Sequence, residues 1–319
     1  MITTVLGDIP VDRLGPTDCH GHLLIRGGLP VALEPEFLLD SVDAAVAEAK
    51  ELLAAGGDAV VDCMPLGVGR DAAGLVDTAR RSGLTLVAAT GFHKDRFYAA
   101  DHWVRRYDAD RIAELLVAEA REGMERSGYG DPYVERIEAR PGIIKVATSA
   151  PEPTAMERTT LRAVGAAAAA TGLPVISHTE HPDAAPAQLA ALAAEGLPAE
   201  RVILSHMDRH GDADTLAAAC ETGATVCLDW LGRTDRRPDS FVVDLVVRLV
   251  RRGHGDRVVL GQDLARRGYW HAYGGEPGMR NLFANVVPQL AAAGLSPDEV
   301  RAVLIDTPRR VLDRMEVTR

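Results

Sequence analysis

Apolar positions in this chain follow two alternating patterns. Short apolar runs rich in β-branched residues fall at 17–22, 58–63, 84–90, 142–147, 173–178, 201–206, 224–229 and 257–263. Between them lie longer Ala/Leu/Arg/Glu-rich stretches with helical spacing of their apolar residues, among them 41–56, 109–128, 157–172 and 238–253, each closed by a glycine as helix C-termini often are. The runs read as strands and the periodic stretches as helices. Eight strands alternating with helices predict an α/β fold, a (β/α)8 TIM barrel built as one domain over 1–319. The nearly continuous apolar strand interiors fit a parallel sheet covered on both faces. A doubly wound dinucleotide-binding sheet competes with this reading, but no Gly-x-Gly-x-x-Gly follows an early strand.

Composition narrows the function. The chain has 319 residues, 47% of them hydrophobic, enough for a large core. Its formal net charge of -11 argues against nucleic acid or an anionic membrane as partner and leaves a small-molecule substrate as the expectation. Cys19, Cys63, Cys220 and Cys227 show no Cys-x-x-Cys spacing and read as buried thiols. No apolar run reaches membrane length, and the first residues lack a basic start followed by an apolar stretch, so a cytoplasmic location is expected.

The chemistry lies at the strand ends. In such a barrel, reacting groups sit where the strands finish. His20 and His22 are two residues apart in an extended segment, so their imidazoles share a face. His178 ends the fifth run, His206 the sixth and Asp263 the eighth, while Lys145 lies within the fourth. Imidazoles and a carboxylate gathered on one rim point to a metal site. Lys145 stands apart, because an ammonium is repelled by a dication and is costly to bury unpaired. A neutral or chemically modified amine resolves the conflict.

This set, together with "VDCMPLGVGRD" after the second run, resembles the phosphotriesterase branch of the amidohydrolase superfamily over nearly the whole chain. The resemblance implies that Lys145 is carboxylated by CO2 and bridges two divalent metals. One metal would be held by His20, His22 and Asp263, the other by His178 and His206. Zn2+ suits these donors, and Mn2+, Co2+ or Fe2+ fit them too. Two such ions bind a shared hydroxide, bring its pKa towards neutrality and polarise a carbonyl or phosphoryl oxygen. That hydroxide is then the nucleophile, and Asp263 is the candidate general base that passes its proton to the leaving group. Relatives are often homodimers, so a homodimer is expected.

Three loops bear on the substrate. They follow the third, seventh and eighth runs and supply Lys94, Tyr98, Arg233, Arg236, Arg266 and Tyr269 as candidate substrate contacts. In an acidic chain, guanidinium forks beside a tyrosine hydroxyl suit a phosphate or carboxylate. Arg266 and Tyr269 match the Arg-x-x-Tyr spacing of the sugar-lactonase members of the branch. Where those members carry a lysine in the seventh loop, this chain has Asp235, flanked by Arg233, Arg236 and Arg237. These arginines could replace that cation, or the lactone could be unphosphorylated or carry a carboxylate; the expected activity is opening of a sugar-derived, anionic aldonolactone, with the phosphorylated form leading. A phosphotriesterase, or an amidase acting on N-acyl amino acids, could use the same metals. A binding protein that had lost catalysis would lack a ligand, and none is missing. The loop charges could instead pair with neighbours such as Asp95, Asp235 and Asp239. His93, His102 and His271 read as solvated loop histidines, His181 and His210 as helix-start or loop residues, and Arg70 with Asp71 as part of a structural ion pair. Trp230 and Trp270 could wall the pocket or pack between loops.

Overall fold

The structure is a computed structural model that describes residues 1–130, 133–149, 152–233 and 237–316. A hairpin of β1 (Ile2–Thr4) and β2 (Gly7–Ile9) leads into eight parallel strands. These are β3 (Thr17–Gly21), β4 (Ala59–Asp62), β5 (Thr85–Gly91), β6 (Ile143–Thr148), β7 (Val175–Thr179), β8 (Val202–Ser205), β9 (Thr225–Leu228) and β10 (Val258–Leu260), paired in chain order. The ring is drawn together beyond β10, where the backbone N–H groups of Gln262 and Asp263 donate to the His20 carbonyl at 3.2 and 2.8 Å. The Gln262 amide adds a 2.9 Å bond to the buried Asp18 carboxylate on β3. The architecture is the expected (β/α)8 barrel.

Helices cover the outside: α1 (Gly28–Leu33), α2 (Val42–Ala54), α3 (Ala72–Ser82), α4 (Ala109–Glu122), α5 (Ala155–Thr171), α6 (Ala185–Ala194), α7 (Ala213–Glu221) and α8 (Asp239–Arg251). After β10 come α9 (Val287–Ala292), α10 (Pro297–Arg301) and α11 (Thr307–Leu312). Ser41, Asp71, Asp108, Thr154 and Asp212 cap their helices by accepting from first-turn N–H groups. Alternate strand residues point into the lumen, which is filled by Cys19, Val61, Cys63, Val87, Ala89, Ile143, Ile176, Ile203, Cys227 and Val259 and sealed by Ile2 and Leu14. Their neighbours in sequence face the helices. Both strand faces are therefore apolar, which is why the runs look continuous in sequence. All four cysteines are buried free thiols.

Two local features differ from the expected pattern. The helix expected over 109–128 stops at Glu122, because Gly123 adopts φ +121° and a side-chain carbon there would lie 1.9 Å from the Ile137 carbonyl. The chain beyond it pairs with itself instead, Glu125 against Arg136. The N-terminal hairpin is too short, and too exposed along β2, to show a period in sequence. Among the described residues no helix is long and apolar enough to cross a membrane.

Two buried or half-buried ion pairs set the outer framework. Arg70 donates twice to Glu119, at 2.8 and 2.7 Å, with both side chains fully buried, so Arg70 is structural. The segment after β10 is tied to α2 through His271, whose Nδ1 lies 2.6 Å from Glu51 and whose Nε2 lies 2.9 Å from Glu276. His271 is thus an ion-paired tether rather than a solvated loop histidine.

Each pair yields a prediction. Arg70→Met strands the Glu119 carboxylate and should lower unfolding stability by about 3–5 kcal/mol, whereas adding Glu119→Leu should restore most of the loss. Urea titration of the single and double variants measures this, and an equal loss in both would show that packing matters rather than the pair. The Glu51 hydrogen bond, then Glu276, raises the His271 pKa above its ordinary 6.5. A group whose folded pKa is raised contributes fully below its unfolded value and fades as pH climbs through the folded one. The stability gap between wild type and His271→Asn should accordingly be larger at about pH 5.5 than at about pH 9. A gap independent of pH would mean that the tether is not charged.

Candidate active site

At the C-terminal ends of the strands lies a cavity of about 430 Å3. Its floor is formed by His20, His22, Lys145, His178, His206 and Asp263. Local backbone geometry aims several of them. Among the described residues three non-glycine positions have clearly positive φ, and two are His206 (64°) and Asp263 (47°). Left-handed backbone at a strand end turns these side chains inward at some local strain. Asp62, at the end of β4, accepts from Leu23 N at 2.6 Å and so holds the turn that carries His22. Gly91 has φ +99°, and a side-chain carbon there would sit 2.0 Å from the Lys145 carbonyl; only glycine lets β5 close against β6 at that point.

The imidazoles are held by carboxylates behind them. Asp229, fully buried at the end of β9, lies 2.7 Å from His20 Nδ1 and 2.6 Å from His206 Nδ1, and accepts from His206 N at 3.1 Å. Burial raises its pKa, but the two imidazoles outweigh burial and hold the group far below the usual carboxylate range. Because Asp229 is an acceptor, both Nδ1 atoms are donors, and each ring keeps its Nε2 lone pair for the cavity. Glu180 lies 2.8 Å from His178 Nε2, which leaves that ring's Nδ1. Burial lowers all three rings, His20 to about 4, so they are neutral at pH 7, the form that binds metal.

These residues fit a metal centre. One donor atom each from His20, His22 and Asp263 lies within 4.8 Å of the others. His22 Nε2 is 3.1 Å and His20 Nε2 3.8 Å from Asp263 Oδ1, while His22 Nδ1 is buried without a partner. Rings of His178 and His206 stand 4.3 Å apart, and those of His20 and His206 4.8 Å. The buried Lys145 amine has an imidazole nitrogen, His20 Nε2 at 3.2 Å, for its partner. Among the described residues no carboxylate lies within 4.0 Å of it. Burial pushes the Asp263 carboxyl up, but Arg233 and His22 outweigh that and keep it well below the usual range.

The expected substrate residues divide. Lys94 lines the cavity and pairs with Glu180; Arg266 lines it and pairs with Glu34, its guanidinium 4.5 Å over the Phe37 ring. Arg233 and Tyr269 also line it, 5.9 Å apart as cation and ring. Tyr98 does not face the cavity: it is buried, and its hydroxyl accepts from His93 N and donates to Leu66 O, both at 2.9 Å. Arg236, with Asp235, lies outside the described residues. His93 is a wall residue rather than a solvated one, 4.6 Å from the Phe97 ring and 5.2 Å from His178. His102 instead caps the short turn Trp103–Arg105, and His181 stacks on His210 at 5.3 Å. Trp230 lines the cavity, whereas Trp270 is core, its indole N–H donating to Leu264 O at 2.8 Å.

Four contributors escape the sequence reading: Asp229, Arg209, Glu180 and Glu34. Asp229 carried a usable signal, a carboxylate closing an otherwise apolar strand. Arg209, three residues beyond His206 and its φ of 64°, reaches the cavity because of that turn. Glu34 and Glu180 face the cavity through loops whose course no local pattern specifies.

Comparison with known proteins agrees with this geometry. The phosphotriesterase family pattern matches residues 1–312. A curated relative named phospho-furanose lactonase, from Mycoplasmopsis synoviae, is 33% identical over 319 residues, covering 97% of this chain and 90% of its own. The crystal structure of an amidohydrolase from Mycoplasma synoviae superposes with a TM-score of 0.94 at 32% identity, covering 99% of this chain and 92% of that one. A lactonase from Listeria monocytogenes superposes with a TM-score of 0.89 at 25% identity, covering 99% of each chain.

Proposed function

The chain belongs to the phosphotriesterase family, and from that premise we propose that it is a metal-dependent lactonase of a sugar-derived, phosphorylated lactone. The observation that carries this reading is a cavity in which four imidazoles, Lys145 and Asp263 lie beneath cationic side chains. The relative named phospho-furanose lactonase supports it at 33% identity.

His20, His22 and Asp263 would hold one divalent ion and His178 and His206 a second, with Lys145, carboxylated, shared between them. Zn2+ suits this donor set, and Mn2+, Co2+ or Fe2+ are accommodated. When bound, such ions supply the Lewis acidity that lowers the pKa of water and polarises a carbonyl oxygen. The protein's own groups do the rest. Asp229 and Glu180 orient the three rings. Carboxylation of Lys145 would turn a buried amine that has only an imidazole for partner into an anion that suits a metal-binding floor. Asp263 accepts the proton of the water that attacks the lactone carbonyl and delivers it to the ring oxygen as the C–O bond breaks, which yields the hydroxy acid. Trp230, Phe37 and Phe97 wall the cavity and limit bulk water.

Two variants and one substrate set test this reading. Asp263→Asn should keep the fold, by circular dichroism, and lose turnover by about a thousandfold or more, the scale of a lost proton acceptor. Full activity would remove that role. Asp229→Asn should weaken metal binding about 10–100-fold in a chelator competition, since two imidazoles lose their orienting carboxylate. Five-carbon aldonolactones with and without a 5-phosphate should both report ring opening by proton release, the phosphorylated one preferred. Absence of turnover of either by a metal-replete sample would discard the lactonase reading.

A further inference from the structure

The tautomer of His93 separates it from the other imidazoles of the cavity. Three contacts hold this residue on the segment after β5: its backbone N–H donates to the Tyr98 hydroxyl at 2.9 Å, its ring meets Phe97 edge-on at 4.6 Å, and its Nδ1 accepts from the Lys94 backbone N–H at 2.7 Å. A ring whose Nδ1 accepts is neutral and carries its hydrogen on Nε2. His93 thus has no lone pair left for an ion. It lines the cavity with a fixed N–H donor, on the edge of the ring away from the backbone. Glu180 is the complementary group on the same cavity wall. Its Oε2 takes both Lys94 Nζ and His178 Nε2, and among the described residues its Oε1 accepts from no donor. His178 links the two, its ring 5.2 Å from that of His93 and its Nε2 2.8 Å from Glu180. An N–H donor and a carboxylate oxygen side by side match the two hydrogen-bonding capacities of a hydroxyl.

We propose that His93 and Glu180 form a subsite for the hydroxyl on the carbon next to the lactone carbonyl, and so select hydroxylated lactones over unsubstituted ones. This deepens the lactonase reading and rests on it for the bond that is cut, though the subsite can be judged by binding alone. Its position follows from the barrel. β5 and β7, which lead into His93 and Glu180, flank β6, and in a ring of eight strands β6 lies opposite β10, beyond which Asp263 stands. The acyl carbon of a lactone has the ring oxygen on one side of its carbonyl axis and the neighbouring carbon on the other. With the ring oxygen turned to Asp263, which delivers its proton, that carbon is turned to the wall beyond β5 and β7. A hydroxyl there accepts from His93 Nε2–H and donates to Glu180 Oε1. A lactone without the hydroxyl leaves both groups desolvated and unpaired, which is the stronger source of discrimination.

The test compares His93→Phe, which removes the donor, and His93→Gln, which keeps an N–H donor, with wild type in the metal-loaded enzyme. For each, kcat/KM is measured on a five-carbon aldono-1,4-lactone and on its 2-deoxy counterpart, both carrying a 5-phosphate. Intrinsic reactivity cancels when the ratio is compared between proteins. Calorimetry on the corresponding ring-opened acids, and the metal content of each protein, give readouts independent of turnover. In His93→Phe the ratio of kcat/KM, 2-hydroxy over 2-deoxy, should fall at least about tenfold, equivalent to about 1.4 kcal/mol of selective stabilisation. The binding preference for the 2-hydroxy acid should shrink in parallel, metal content should stay at the wild-type level, and His93→Gln should recover part of the ratio. Equal losses on both lactones would make His93 a brace for His178 and overturn the subsite, as would loss of metal from His93→Phe. If wild type opens neither lactone, the lactonase reading fails, and the acids decide separately. A wild-type preference for the 2-hydroxy acid that His93→Phe abolishes sustains the subsite, and no preference overturns it. Should His93→Phe fail to fold, wild type and His93→Gln decide alone: a preference for the hydroxyl that the glutamine variant keeps in part sustains the subsite, and its absence from wild type overturns it.

Discussion

One buried carboxylate organises the reacting end of this barrel. Asp229 stands where three strands finish, and removing its charge from water is expensive unless every lone pair finds a donor. The donors come from β3 and β8: His20 Nδ1, His206 Nδ1 and the His206 backbone N–H. This compensation does three things together. It draws the ends of β3, β8 and β9 together across the lumen, it fixes the tautomers of two rings, and it helps hold His206 in a left-handed conformation that an unbraced histidine would leave. The direction in which two of the candidate ligands present their free nitrogens is thus decided one layer behind them.

The layering extends outward from that point. Below lies the apolar lumen, in which buried thiols and branched aliphatics give the Asp229 bonds a low-dielectric surround. Above lies a cavity with cationic walls, in a chain whose net charge is -11. The contrast is local, because Glu34 and Glu180 neutralise their own partners while, among the described residues, Arg209 and Arg233 share the Asp263 carboxylate. An acidic exterior around a basic pocket repels polyanions and still admits a small anion, through the focusing of the field in a low-dielectric cleft.

Much of this was legible in the chain. The eight apolar runs, the helices between them and the placing of His20, His22, Lys145, His178, His206 and Asp263 at or near strand ends follow from short-range periodicity. Strand period and strand end are local properties, and a parallel barrel converts strand ends into one rim. Tyr98 misled for the same reason that Arg209 was missed. Both lie in irregular turns, where the side chain's direction depends on contacts distant in sequence: Leu66 takes the Tyr98 hydroxyl into the wall, and Trp230 and Asp263 draw Arg209 to the cavity.

The sequence alone therefore determined the barrel, its order of strands and the residue types gathered on its rim, because these depend on hydrophobic period and on chain order. Only the tertiary structure decided which carboxylates stand behind the imidazoles, which cations have a carboxylate of their own, and which two share Asp263. Those are questions of charge compensation in a space enclosed by separate loops, and pairing across 209 residues, as between His20 and Asp229, leaves no trace in any local pattern.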